Sequence, residues 1–298
     1  METRTAMAII AIAALLGSMG LILALYPPES QLVTRTWSVR AEEYPSESVS
    51  FDIRLGSAEL TIQQLDRPDL IVDVEARFRS YQAEPVFRAA VSDNALHIAI
   101  KAEEPAVSVP ESVADSYTLS LGRYGRATSL RLRVGAVTAT MRLTDLPLKE
   151  LSVDIAAGSL AIDLAEYRNP TPCIADLTVG AASLDATGLG NLNFRDLSVK
   201  VGAATAKLDF SGDLKPGTAE ARVEAGVATV SIRLPRELGC TLSSKVLGVL
   251  NLDSAWKLVS EVGGRKEYES PGFSETTKRM LLIVDAGVAT VNVERQQD

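Results

Sequence analysis

Asp163, Asp185 and Asp253 each stand five residues after a glycine, and carboxylates repeated in one place are the raw material of acid–base chemistry. If the repeats stack, Asp163 and Asp185 become neighbours on adjacent coils, with Asp209 close by. Such a pair could protonate a leaving group and activate a water, the chemistry of polysaccharide-cleaving enzymes. An outward polar column, or a weak cation site, would show the same pattern. In other copies the position holds Thr140, Lys207, Ser231 and Asn292, which breaks the column. The single histidine, His97, lies in "ALHIAIKA" between the inward positions Leu96 and Ile98, so it points to solvent. Without a placed histidine, neither a Ser/His/Asp nor a Cys/His arrangement can be assembled. Glycines occur mostly singly rather than clustered as a phosphate cradle requires, and the calcium-binding Gly-Gly-x-Gly-x-Asp repeat is absent. The residues nominate no catalytic, cofactor-binding or metal-ligating site. The chain reads as a non-enzyme.

The elements that would position these side chains announce themselves through the glycines. Gly135, Gly158, Gly180, Gly202, Gly226 and Gly248 are spaced 23, 22, 22, 24 and 22 residues apart, with Gly56 upstream and Gly287 downstream. A fixed interval of this size signals stacked repeats. Before each glycine the apolar residues fall at odd offsets, as in Leu197, Val199 and Val201 before Gly202; afterwards they fall at even offsets, Ala204, Ala206 and Leu208. A strand alternates with period two, so one face cannot hold both sets without a slip. A glycine corner with positive φ would supply it. The expectation is an all-β, parallel β-helix-like solenoid with coils of about 22 residues. Cys173 and Cys240 lie seven and eight residues before Gly180 and Gly248. That sets them three coils, roughly 14 Å, apart, beyond the ~7 Å reach of a disulfide; two free, buried thiols follow. The column three past each glycine reads Glu59, Thr138, Ala161, Ser183, Thr205, Thr229, Asn251, Thr290, a hydroxyl ladder broken in the middle.

Two stretches depart from the period. Residues 63–128 contain strands without the glycine and the polar loop "AEEPAVSVPESVADS"; residues 253–280 contain "SAWKLVSEVGGRKEYESPGF", a hairpin turning at Gly263-Gly264. Solenoid ends expose unpaired edges, so these are the candidate caps. Rival folds are a leucine-rich repeat, hinted at by "LKELSV" and "FRDLSV" but lacking an asparagine ladder and helical segments, and a β-sandwich.

The 298 residues carry a net charge of −8, which argues against nucleic acid and against a polybasic membrane-surface mode. Aromatics make up 5%, too few for stacking platforms or a deep ligand pocket; no small-molecule cofactor is expected. Residues 6–26, "AMAIIAIAALLGSMGLILALY", are about one membrane span of uncharged, mostly apolar sequence. They read as an uncleaved transmembrane helix within an anchor at 1–26. A removed signal peptide, cut near Ser18-Met19-Gly20, and a buried core helix are the alternatives. Residues 27–47, with "PPES", read as a tether to a solenoid domain at 48–294. A single-pass protein of the cell membrane, with the large domain outside, is the expected placement.

"SVSFDIRLGSAELTIQQLDRPDLIVDVEARF" (48–78), followed by "ALHIAIKA", resembles the opening of the bacterial adhesin-like, or toast-rack, β-solenoid domain. "YESPGFSETTKRMLLIVDAGVATVNVE" (268–294) resembles its closing repeat, as in the C-terminal domain of LiaF-like envelope-stress proteins. The resemblance implies a right-handed, mostly parallel β-helix at the cell envelope. It also implies adhesin-like contacts, or a stress-response role with other membrane or envelope proteins. A polysaccharide lyase or hydrolase on the same scaffold, and a purely structural spacer, are the competing functions.

Overall fold

A computed structural model describes residues 31–80, 83–102 and 115–296; the anchor expected at 1–26 lies outside them. Among the described residues no helix is long and apolar enough to cross a membrane. The helical turns are two 3-10 segments, Leu189–Leu192 and Phe273–Glu275. In chain order the strands are β1 (Leu32–Arg40), β2 (Ser48–Gln64), β3 (Leu70–Arg79), β4 (Val86–Ser92), β5 (Ala95–Lys101), β6 (Ser116–Leu121) and β7 (Ala127–Arg142). They continue as β8 (Leu148–Asp163), β9 (Cys173–Thr187), β10 (Phe194–Val201), β11 (Thr205–Asp209), β12 (Gly217–Ala225) and β13 (Thr229–Leu234). The last six are β14 (Gly239–Val246), β15 (Val249–Leu252), β16 (Lys257–Val262), β17 (Arg265–Glu269), β18 (Lys278–Ala286) and β19 (Thr290–Arg295). The fold is all-β.

Each rung is one bent strand or a pair split at the corner, and rungs pair in parallel through the middle of the chain. β7 pairs with β8, β8 with β9, β9 with β10 and β11, and these with β12 and β13. Gly180 and Gly202 are direct neighbours: Gly202 N–H donates to Val179 O at 2.9 Å and Ala203 N–H to Gly180 O at 3.0 Å. Alternation makes this stack. Ala175, Leu177 and Val179 are buried before the corner, and Ala182, Leu184 and Ala186 after it. A fully buried Leu or Val stabilises by about 1.5–3 kcal/mol, and each lies between like residues of the rungs above and below.

At the ends chain order and stack order part. β2 sits between the β5/β6 rung and β7. β18/β19, the last rung in sequence, inserts between β12/β13 and β14/β15. Cys173 and Cys240 are therefore four rungs apart rather than three; both are free and buried.

The irregular stretches do lie at the ends. β4 pairs antiparallel with β5, β3 with β6, and β1 with β3. At the opposite end the β16–β17 hairpin turns through Gly263 (φ 59) and Gly264 (φ 78) and lies antiparallel on β14. Part of the 27–47 stretch read as tether is strand β1, which belongs to the cap. Val33, Trp37 and Val39 face inward along it, and Trp37 stacks on Phe87 at 5.6 Å.

The connections between rungs close the third side. Leu143, Leu146, Leu164, Tyr167, Leu189, Leu192 and Phe210 are buried there. Two buried asparagines tie consecutive connections together. Asn169 donates to Leu148 O (2.7 Å) and Leu192 O (2.9 Å). Asn191 donates to Leu164 O (2.9 Å) and accepts from Asp213 N–H (2.8 Å).

Candidate interaction face

The corner glycines work differently from the expectation. Of the eight that mark coils, only Gly158 has positive φ, at 114°. Gly180, Gly202, Gly226, Gly248 and Gly287 answer instead to close approach between rungs. A Cβ at Gly180 would fall 2.5 Å from Ala156 O, at Gly202 2.7 Å from Gly180 O, and at Gly226 3.0 Å from Gly202 O. Side chains larger than hydrogen meet the neighbouring backbone, so the column is set by sterics rather than by φ.

Gly158 itself is out of the column. It pairs opposite Val137 and Ala182, one inward position past the corner, and Ala156 turns the corner of that rung. "AAGS" offers two small corners, and the rung uses the earlier one. Gly248 is displaced in the same sense: a Cβ there would lie 1.9 Å from Ala289 O.

This register rewrites the proposed carboxylate pair. Asp185 stands opposite Ala161 and Lys207, not Asp163. Each acid instead faces a cation from an adjacent rung: Asp163 with Arg142 at 3.3 Å, Asp185 with Lys207 at 4.0 Å, Asp209 with Arg233 at 4.0 Å. Asp253 lies just past β15, in the last rung. His97 is exposed, as its alternation requires, and its Nδ1 is 2.9 Å from Ser50 Oγ. Among the described residues no three metal-ligating side chains converge. Burial pushes the thiols of Cys173 and Cys240 up to about 12, which keeps both protonated and unreactive.

The same shift completes a feature that the glycine alignment had broken. Ser159, not Ala161, is in line with Thr138 and Ser183. The column Thr138, Ser159, Ser183, Thr205, Thr229, Thr290 is then unbroken over six successive rungs. Beside it, one past the corner, runs Ala136, Ala157, Ala181, Ala203, Val227, Val288. Aligning the apolar runs Leu160-Ile162 and Leu184-Ala186, instead of the glycines, would have found Ser159 from sequence.

Together the two columns form an uncharged band roughly 24 Å long at the strand spacing. Part of it is a shallow open groove of about 770 Å³, floored by Ala182, Ala228 and Ala289 and edged by Thr205, Thr229 and Thr290. The ion pairs of Asp163, Asp185 and Asp209 flank it on one side, and Arg222 with Asp285 (4.0 Å) on the other. In a chain of net charge −8, charge is kept off this strip.

The profile of the N-terminal domain of toast_rack, DUF2154, matches residues 29–185. Among solved structures, a candidate cell adhesion protein from Clostridium sporogenes is 14% identical, with a TM-score of 0.46, over 89% of this chain and 100% of its own. A candidate adhesin from Bacteroides fragilis is 12% identical, with a TM-score of 0.40, over 90% of this chain and 99% of its own. No curated protein matches. The profile covers more than half of the sequence, from β1 to near the end of β9, and the chain belongs to the toast-rack family.

Proposed function

We propose that this protein acts by contact: a membrane-anchored, extracytoplasmic, adhesin-like β-solenoid that presents its uncharged corner band to a partner. The observation that carries this reading is the band itself, small residues beside an unbroken hydroxyl column over six rungs, bordered by ion-paired columns. Hydroxyls at regular spacing offer a donor and an acceptor each, and the alanines beside them let a flat partner approach closely. Residues 6–26 would hold the rod at the membrane. Other envelope proteins are the fitting partners, and a role in sensing envelope stress is the finer version of the same reading.

The test uses the intact chain in its native membrane. Cell-wall polysaccharide and solubilised envelope proteins are offered to wild type and to the Thr205→Arg/Thr229→Arg variant. Both threonines are exposed, so the melting temperature stays unchanged while retention falls at least tenfold. Equal retention by the variant, with loss instead in Lys207→Ala/Arg233→Ala, would move the binding face off the band. Protease added to intact spheroplasts should cut the large domain; full protection would overturn the outside placement.

A further inference from the structure

Four strands form the two outermost rungs, and three of them carry an antiparallel cover: β4 on β5, β3 on β6, β17 on β14. β15 pairs only with β19, and among the described residues nothing lies on its outer edge. The consequence shows in the core. The inward residues of the two preceding rungs, Val230, Ile232, Val291 and Val293, are at most 1% exposed, whereas Leu250 and Leu252 stay half-buried. Outward, Leu247 is 80% and Val249 52% exposed. From Leu247 to Leu252 there is no charge. Native sheets blunt a bare edge by keeping it short or with charge, proline or a covering segment; β15 is four residues long and has none of the others.

The chain's own undescribed segments are poorly placed to cover it. Residues 1–30 lead into β1, while 81–82 and 103–114 join strands of the opposite cap, eight rungs or roughly 38 Å away.

We propose that β15 pairs antiparallel with β15 of a second copy across a two-fold axis. Core continuity restricts the register, because an inward residue must oppose an inward one. The register that sets Leu250 opposite its own mate places Val249 opposite the other copy's Asn251, and the one that sets Leu250 opposite Leu252 places Asn251 opposite itself. The flanking charges favour the antiparallel sense. Asp253 follows the strand and Lys245 precedes the corner, so the two-fold brings the Asp253 of each copy to the corner end of the other, near Lys245. A parallel arrangement would set like charge beside like. The shape is self-complementary as well. The hairpin projects beyond β14 while β15 is recessed, and the rotation places each projection beside the other's recess. Leu258 and Val262, 49% and 74% exposed on the hairpin, then approach the other copy's turn after β15.

The experiment compares the full chain in detergent with three variants. Val249→Cys/Asn251→Cys, mildly oxidised, should give a covalent dimer on a non-reducing gel; Ser57→Cys, at the corner of the opposite end, should give none. Val249→Lys, at an exposed position, should weaken the dimer at least tenfold in sedimentation equilibrium and leave the melting temperature of the dilute monomer unchanged. A monomeric wild type, a dimer indifferent to Val249→Lys, or cross-linking chiefly to a different protein would each overturn the second copy as occupant.

Discussion

At one end of the stack β6 lies beneath β3, and Tyr117 and Leu119 are sealed; at the other, Leu250 and Leu252 occupy the corresponding inward places of β15 and stay half-exposed. The two ends share a plan. In both, the glycine rung nearest the terminus, Gly56 in β2 or Gly287 at β18/β19, is tucked one place in, and a less regular rung is outermost. They differ in the cover. Closing a parallel stack requires strands that run the other way, and this chain supplies them fully at one end and over only half a rung at the other. The end with spare cover is self-contained, and the end without it is where a partner strand fits.

Charge placed inside each end tests that difference most strongly. Leu119→Asp puts a carboxylate in a sealed site and should cost about 2–7 kcal/mol, seen as a large drop in the urea midpoint. Leu250→Asp, at the half-exposed position, should cost well under half of that in dilute monomer. Equal losses would mean that the two ends are equally closed.

Corner substitutions come next. Gly158→Ala combines φ 114° with a Cβ 1.9 Å from Val137 O and should cost on the order of 3 kcal/mol. Gly202→Ala, 2.7 Å from Gly180 O, should cost less, and Gly226→Ala, 3.0 Å from Gly202 O, least. Chemical denaturation of the three gives the order. If Gly226→Ala proved the worst, close approach would not be what selects glycine here. Asn191→Ala belongs to the same range, about 1–3 kcal/mol, because it strands Asp213 N–H and leaves Leu164 O with Tyr167 N–H as its remaining donor.

The thiols compare middle and end kinetically. Burial raises both to about 12, above the unfolded thiol's ~8.5. As pH rises the unfolded chain sheds these protons first. The stabilisation is complete below about 8.5 and is lost as pH climbs toward 12. Near neutrality, labelling by a thiol reagent needs an opening. Cys240, in the outermost rung, should label faster than Cys173, which lies four rungs inside. Equal rates would place both in one cooperative unit.

Much of this was legible in the sequence because every inward position repeats the same demand. Leu197, Val199 and Val201 need an apolar neighbour above and below, so the alternation recurs rung after rung. The order of rungs at the ends was not legible: the interval reveals that Gly287 heads a rung, not that Gly226 is its neighbour. Gly158 misled because Ala156 turns a corner almost as well, and that slip hid Ser159 from the hydroxyl column while creating a false Asp163–Asp185 pair. β1 passed for a tether because a cap strand buries only one thin face. The bare edge of β15 leaves no trace in a pattern that records facing, not pairing.

The smallest effect lies at the seam where the out-of-order rung docks. Asp213, in the connection before β12, takes Lys215 Nζ at 2.7 Å and Lys278 Nζ, from β18, at 2.8 Å. These ammonium groups hold its carboxyl down at about 2. A depressed carboxylate stabilises the fold above its unfolded value, ~3.9, and the contribution fades as pH falls toward 2. The site is nearly half exposed, so Asp213→Asn should cost no more than about 1 kcal/mol at pH 7 and nothing near pH 2. High salt should shrink the difference further. A larger, salt-insensitive loss would mean that the seam is held by Asp213 itself rather than by Leu282 and Val284 packing beneath it, and the inserted rung would be far more weakly seated than its burial implies.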